Sequence, residues 1–184
     1  QERTPWEEGL YQAVVTAGYV TPSGFPWMTI DQPAKKVEGK PESRNITICF
    51  EVTRQTDGER LDVASPNFTN YRVEDFTTSR QATAAQAKTR NEARIKEARA
   101  NREVVNKQWD DTDAQRTYLA LVGIKRLQEL AGGPLEHNTN GSGGFNLAQI
   151  IGKSTYVVLR KDKAGKYLEV RRTMQTLPPK GTLL

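Results

Sequence analysis

Two groups of cations in this chain sit in loops, the first of them beside aromatic rings. The first lies in residues 21–45, "TPSGFPWMTIDQPAKKVEGKPESRN", where Phe25 and Trp27 precede Lys35, Lys36, Lys40 and Arg44. The second surrounds the turn "KDKAGK", which holds Lys161, Lys163 and Lys166, with Arg160 before it and Arg171 and Arg172 after it. Phe68 and Tyr71 form a third, purely aromatic pair. Cations that follow phosphates and rings that stack on bases are what sequence-independent binding of single-stranded nucleic acid requires. Each feature also has a plainer structural reading. Trp27 can fold its loop back onto a core, Phe68 suits a core position, Tyr156 and Tyr167 suit cross-strand packing, and three lysines can serve any soluble turn. That turn has the fewest other reasons to be so basic.

The charge distribution agrees with a polyanion partner. Formal net charge is +5, but it is not evenly spread. Residues 79–107 hold eight basic residues against three acidic, and residues 153–184 hold eight against two. Residues 1–78 hold eight basic against twelve acidic, so the opposite sign is concentrated there. Polarised positive charge attracts nucleic acid. In the 79–107 block, Arg90 and Arg94 are the candidate contacts. A salt-bridge-laced helix, with Glu92–Lys96 and Glu103–Lys107 as i,i+4 pairs, explains the same block without a ligand.

Catalytic readings find little support. The single histidine, His137, lies in the polar, glycine-rich segment "EHNTNGSGGFN". The single cysteine, Cys49, lies on a predicted strand with no histidine near it in sequence, permits no internal disulfide and reads as structural. Asp110, Asp111 and Asp113 of "WDDTD" could bind a divalent cation, but helix capping explains them more simply. "GSGG" at 141–144 has no GK[ST] following at the required spacing, and Gly152-Lys153-Ser154 precedes a strand instead of opening a helix, so neither is a phosphate loop. No enzyme activity, cofactor or metal is expected.

The elements that must position the cations read as follows. "LYQAVVTAGYV" alternates Tyr11, Ala13, Val15, Ala17 and Tyr19 against Gln12, Val14, Thr16 and Gly18, the pattern of a first strand. Residues 21–45 carry four prolines and read as a long loop. "ITICFEVTR" is a second strand, with Ile46, Ile48, Phe50 and Val52 on one face. The turn Thr56–Gly58 leads to a third strand in "ERLDVASPNF", which Pro66 should limit, with Tyr71 and Phe76 in an irregular stretch beyond.

Ser79–Lys107 has no Gly or Pro and predicts a long helix. Its one apolar stripe, Ile95, Ala98, Arg102, Val105 and Trp109, suggests that the C-terminal half packs and the basic N-terminal half projects. A second helix follows, with Thr112 and Gln115 spaced as a capping box, a broad apolar face from Tyr118 to Leu130, and Gly132-Gly133 at its end. Two strands, Thr155–Arg160 and Lys166–Thr173, close the chain. The expected fold is therefore mainly β with a helical insertion. It is an OB-fold five-stranded barrel with two helices between strands 3 and 4, one long and basic, in a single domain over residues 1–184. A different small α+β sheet is the alternative.

The residues also resemble a family. "EEGLYQAVVTAG" is similar to the opening strand of phage single-stranded-DNA-binding proteins with an OB-fold. Ile48–Val52, "ICFEV", resembles their I-x-F-E-V strand, and Gly152–Leu159 with "GKYLEVRR" resembles their closing strands. The long basic helix, the proline-rich loop and the acid-free end "LPPKGTLL" depart from that pattern. The resemblance implies sequence-nonspecific binding and protection of single-stranded DNA in phage replication or recombination; residue type allows RNA as well, and the projecting basic helix suggests an arm that extends the DNA track or contacts a neighbouring protomer in self-association along the strand. The competing reading is a phage structural or host-factor-binding protein that uses the basic helix as an interaction arm. No apolar run is long enough to span a membrane and no signal pattern is visible, so a cytoplasmic protein, in an infected cell if viral, is expected.

Overall fold

In the computed structural model, which describes residues 3–22, 43–136 and 145–176, five strands and two helices follow one another in the predicted order. The strands are β1 (Gly9–Pro22), β2 (Ser43–Thr53), β3 (Arg60–Arg72), β4 (Ser154–Lys161) and β5 (Leu168–Met174). The helices α1 (Thr78–Ala100) and α2 (Thr112–Ala131) lie between β3 and β4. The spatial order is β3-β2-β1-β4-β5, every neighbouring pair is antiparallel, and β3 and β5 approach each other. The sheet thus curls into a nearly closed five-stranded barrel.

The inward faces follow the period-2 alternation of a strand. Ile46, Ile48, Phe50 and Val52 of β2 are all fully buried, as the sequence predicts. In β1 the predicted face holds through Ala13 and Val15. The register then shifts between Val15 and Ala17, a β-bulge, so Gly18 and Val20 turn inward in place of Ala17 and Tyr19. A Cβ on Gly18 would sit 3.0 Å from Leu147 of a short 3-10 helix (Leu147–Ile150) that packs there.

Proline 66 does not end β3. Asn45 Nδ2 and Thr47 Oγ1 both donate to the Pro66 carbonyl, at 2.6 and 2.8 Å. The ladder resumes beyond an irregularity, with Ile48 opposite Ser65 and Ile46 opposite Thr69. A bulge is where a strand tolerates proline, and β3 continues through Tyr71 to Arg72.

Helix α2 covers the barrel with Ile124, Leu127 and Leu130, and Gly132 caps it with φ 79°, in the left-handed region that glycine occupies at little cost. Gly123 marks the closest approach, because a Cβ there would meet Thr69 Oγ1 at 2.1 Å. The N-cap is Asp111, whose side chain accepts from Ala114 N at 2.9 Å, rather than the predicted Thr112–Gln115 box.

Helix α1 reverses the expected polarity. Its buried residues are Ala84 and Ala87 in the N-terminal half and Asn91 just past the middle, with Ala87 packed beside Trp109, Ala114 and Tyr118. The helix stops at Ala100, seven residues short of the predicted end. Asn101 N donates to Glu97 O and Glu103 N to Ala98 O, and Arg102 takes φ 55°. The chain then runs back along the helix.

A buried ionic cluster fixes the helices to the barrel. Arg72 (2% exposed) meets Asp75 (0%) through its backbone N at 2.7 Å and its Nε at 3.2 Å. Thr117 Oγ1 donates to Asp75 at 2.7 Å and accepts from Arg72 at 3.0 Å. Arg72 and Arg80 both hydrogen-bond Asp113, and Arg80 also reaches Glu74. The bond from Arg72, reinforced by Arg80, holds the Asp113 carboxyl below the usual carboxylate range. A lowered folded-state pKa means that the unfolded chain takes up the proton first as pH falls. The Asp113 contribution is therefore fully present above the unfolded value of about 3.9 and is lost as pH drops through the lower folded one. In urea titrations at a series of pH values, Asp113→Asn should lower stability at neutral pH and make the loss below about pH 4 shallower. An acid limb identical in slope to wild type would show that Asp113 does not contribute to it.

Candidate functional site

Three cations without an ion pair among the described residues line one cleft. It has a volume of about 1050 Å³ and opens between the β3 bulge, α2 and β5. Ser65, Pro66, Asn67 and Phe68 form its floor, Arg126 and Glu129 of α2 one wall, and residues 169–175 of β5 with Lys163 of the β4–β5 turn the other. Two of its three acids are already engaged. Asp162 accepts from the backbone N of Lys166 at 2.8 Å and so shapes the turn, and Glu169 pairs with Arg171 at 2.9 Å. Arg126, Lys163 and Arg172 make no ion pair among the described residues. Three free cations therefore face two acids that have no cationic partner among the described residues, Glu129 and Asp162.

The turn beside the cleft adds a ring. Tyr167 is 64% exposed, and Lys166 Nζ lies 5.3 Å from its centroid. The expected packing role for Tyr167 does not hold. Its ring is open to solvent on the most basic turn of the chain, where it can stack on a base. Phe68 is half-buried against the barrel core and also lines the cleft.

The other predicted contacts divide clearly. Lys161, Lys163 and Lys166 are exposed. Arg160 is half-buried, donates to Leu159 O at 3.1 Å and lies 3.9 Å from Glu8. Arg171 lines the cleft. Arg44 and Tyr71, in contrast, are both fully buried and sit opposite each other in the β2–β3 ladder. Tyr71 packs edge-on against Phe76 at 5.4 Å and Phe145 at 5.5 Å. Neither side chain is at the surface, because β3 runs on past Pro66 and turns that end of the hairpin into core. Phe25, Trp27, Lys35, Lys36 and Lys40 lie outside the described residues, as do His137 and the 141–144 glycines.

Arg90 and Arg94 have internal work. Arg90 Nε binds Asp110 at 2.9 Å, and Arg94 donates to Asn91 Oδ1 and to Gln108 O, both at 2.6 Å. Together they hold the returning segment against α1. The expected i,i+4 pairs are also replaced, since Glu92 lies 3.7 Å from Lys88 on its N-terminal side and Glu103 lies beyond the helix. What remains unpaired on α1 and its return is Lys96, Arg99, Arg102 and Lys107.

The three aspartates of "WDDTD" are structural: Asp110 pairs with Arg90, Asp111 caps α2, and Asp113 joins Arg72 and Arg80. Burial, and then the charge of Asp62, push the Cys49 thiol up, opposite to the lowering that activates a thiolate nucleophile. No helix of the described residues is long and apolar enough to cross a membrane.

Sequence reasoning missed Tyr167, which it assigned to packing, and Arg126. The latter lies on a helix face that reads as solvated, and only the docking of α2 brings it opposite β5. Comparison with protein-family models, with curated proteins and with solved structures returns no match to this chain.

Proposed function

We propose that this protein binds single-stranded nucleic acid without sequence preference, on an OB-fold barrel, as a phage protein that coats and protects single-stranded DNA. The observation that carries this reading is the exposed ring of Tyr167 on a basic turn whose Lys163, with Arg172 of β5, lines an open cleft. The strand order and the position of the helices between β3 and β4 support the OB-fold assignment. The β4–β5 turn is one of the loops that flank the ligand surface in that fold. RNA offers the same phosphates and base faces, so the test includes it.

Fluorescence anisotropy with labelled poly-dT, a matched duplex and a matched RNA should show preference for single strands, with log K falling linearly in log salt. Tyr167→Ala should weaken single-strand binding by roughly 1–3 kcal/mol, the contribution of one stacked base, without changing the salt slope. Equal affinity for duplex and single strand, or no binding at low salt, would overturn the reading.

One observation favours the competing reading, a phage structural or host-factor-binding protein. The far end of α1 and its return present Lys96, Arg99 and Arg102 beside Val104, which is 97% exposed. Exposed cations and a solvent-facing valine suit a protein surface, and Glu97 and Glu103, which line the same hollow as Val104, give that surface a mixed charge to match. Lys96→Glu with Arg99→Glu separates the two, since it would abolish partner capture and leave strand binding intact.

A further inference from the structure

We infer that the nucleic acid crosses the seam between β3 and β5, bridging from β5 to α2, with Arg126 as a phosphate contact on the helical wall. This rests on the proposed single-strand binding and specifies its route. Three observations support it.

The outer face of the β2–β3 hairpin is unsuited to a polyanion. Glu51 and Asp62 stand directly opposite each other in the ladder, and of the two only Glu51 has a cation, Arg60 at 3.5 Å. Like charges set side by side repel a third of the same sign. The seam has the opposite character. The cleft carries four cations, Arg126, Lys163, Arg171 and Arg172, against three acids, Glu129, Asp162 and Glu169, and has cations on both walls, so a strand lying in it would be held from both sides. The cleft is also polar and at the upper end of the roughly 300–1,000 Å³ typical of small-ligand sites, which are mostly apolar. A solvated chain of phosphates suits it better than a compact apolar ligand. The β3 bulge, which the Asn45 and Thr47 bonds to Pro66 hold in place, sets Asn67 and Phe68 in the lining of the cleft.

Arg126 has a built-in control in Lys125. Both are exposed and adjacent on α2, and only Arg126 lines the cleft. Binding of a labelled dT oligonucleotide is measured across salt concentrations for wild type, Arg126→Ala and Lys125→Ala, after thermal melts confirm that all three fold alike. Arg126→Ala should reduce the log–log salt slope by about 0.7, the value for one single-strand phosphate contact, and lower affinity. Lys125→Ala should leave the slope unchanged. Wild-type binding with two indistinguishable variants would overturn the route alone. Absence of wild-type binding would overturn the function on which it rests, and the route with it.

Discussion

Asp75→Ala should cost about 3–5 kcal/mol of stability, the loss expected when a buried ion pair is broken by removing one partner. The expected effect is large because Asp75 has no water to replace it. It is wholly buried and accepts from the Arg72 backbone, the Arg72 guanidinium and the Thr117 hydroxyl. Without it, the Arg72 charge stays 2% exposed with Asp113 as its remaining carboxylate, and the Thr117 hydroxyl loses its acceptor. Domains are typically stable by only about 5–15 kcal/mol, so the variant would be marginal. For a chain of this size the melting temperature should fall by roughly 6–20 °C. Replacing the charge and its partner together, Arg72→Met with Asp75→Leu, should cost less than Asp75→Ala alone, because no buried charge is then left unpaired. A loss under about 1 kcal/mol for Asp75→Ala would show that the cluster does not hold α2 in place. The cluster also matters to the candidate site. It joins the end of β3 to the first turns of α2, and α2 supplies the wall that carries Arg126.

How far the chain could be read without its fold depends on whether each signal is local. Strand β2 was legible because four large apolar residues alternate cleanly and all of them point inward. Strand β1 was legible only to Val15, since a bulge is set by the partner strand and leaves no mark in the sequence of the strand that contains it. Proline 66 was given too much weight. Its effect depends on whether a neighbour can use its carbonyl, and Asn45 and Thr47, about twenty residues earlier, do so.

Helix α1 was recognisable from composition, but its buried face was not. Ala84 and Ala87 contribute little to an apolar stripe, yet small residues are what let α2 and Trp109 approach closely. The larger residues Ile95 and Val105 drew attention to the wrong end. The site divides in the same way. The basic turn was legible from its own residues. Tyr167 and Arg126 were not, because the exposure of one and the position of the other depend on contacts distant in sequence.

Reversing the charge of Lys163 and Arg172 together should weaken single-strand binding by on the order of 100-fold or more at moderate salt. A hydrogen bond to a charged group contributes about 1.5–3 kcal/mol, two are removed, and each factor of ten corresponds to about 1.4 kcal/mol. Repulsion of the phosphates by the new carboxylates adds to this and raises the loss further at low ionic strength. The fold should be unaffected, because neither side chain has an ion-pair partner among the described residues and both are exposed. The necessary control changes net charge equally at a distance. Lys96→Glu with Arg99→Glu alters the far half of α1, which has no residue in the cleft. If strand binding is a property of the cleft, the first double variant loses it and the second keeps most of it. If both lose it alike, attraction is a property of overall charge and the cleft has no special part. If only the α1 variant loses it, the ligand lies along the helix, and the uncommitted cations at its far end, not those of the β4–β5 turn, are the contacts.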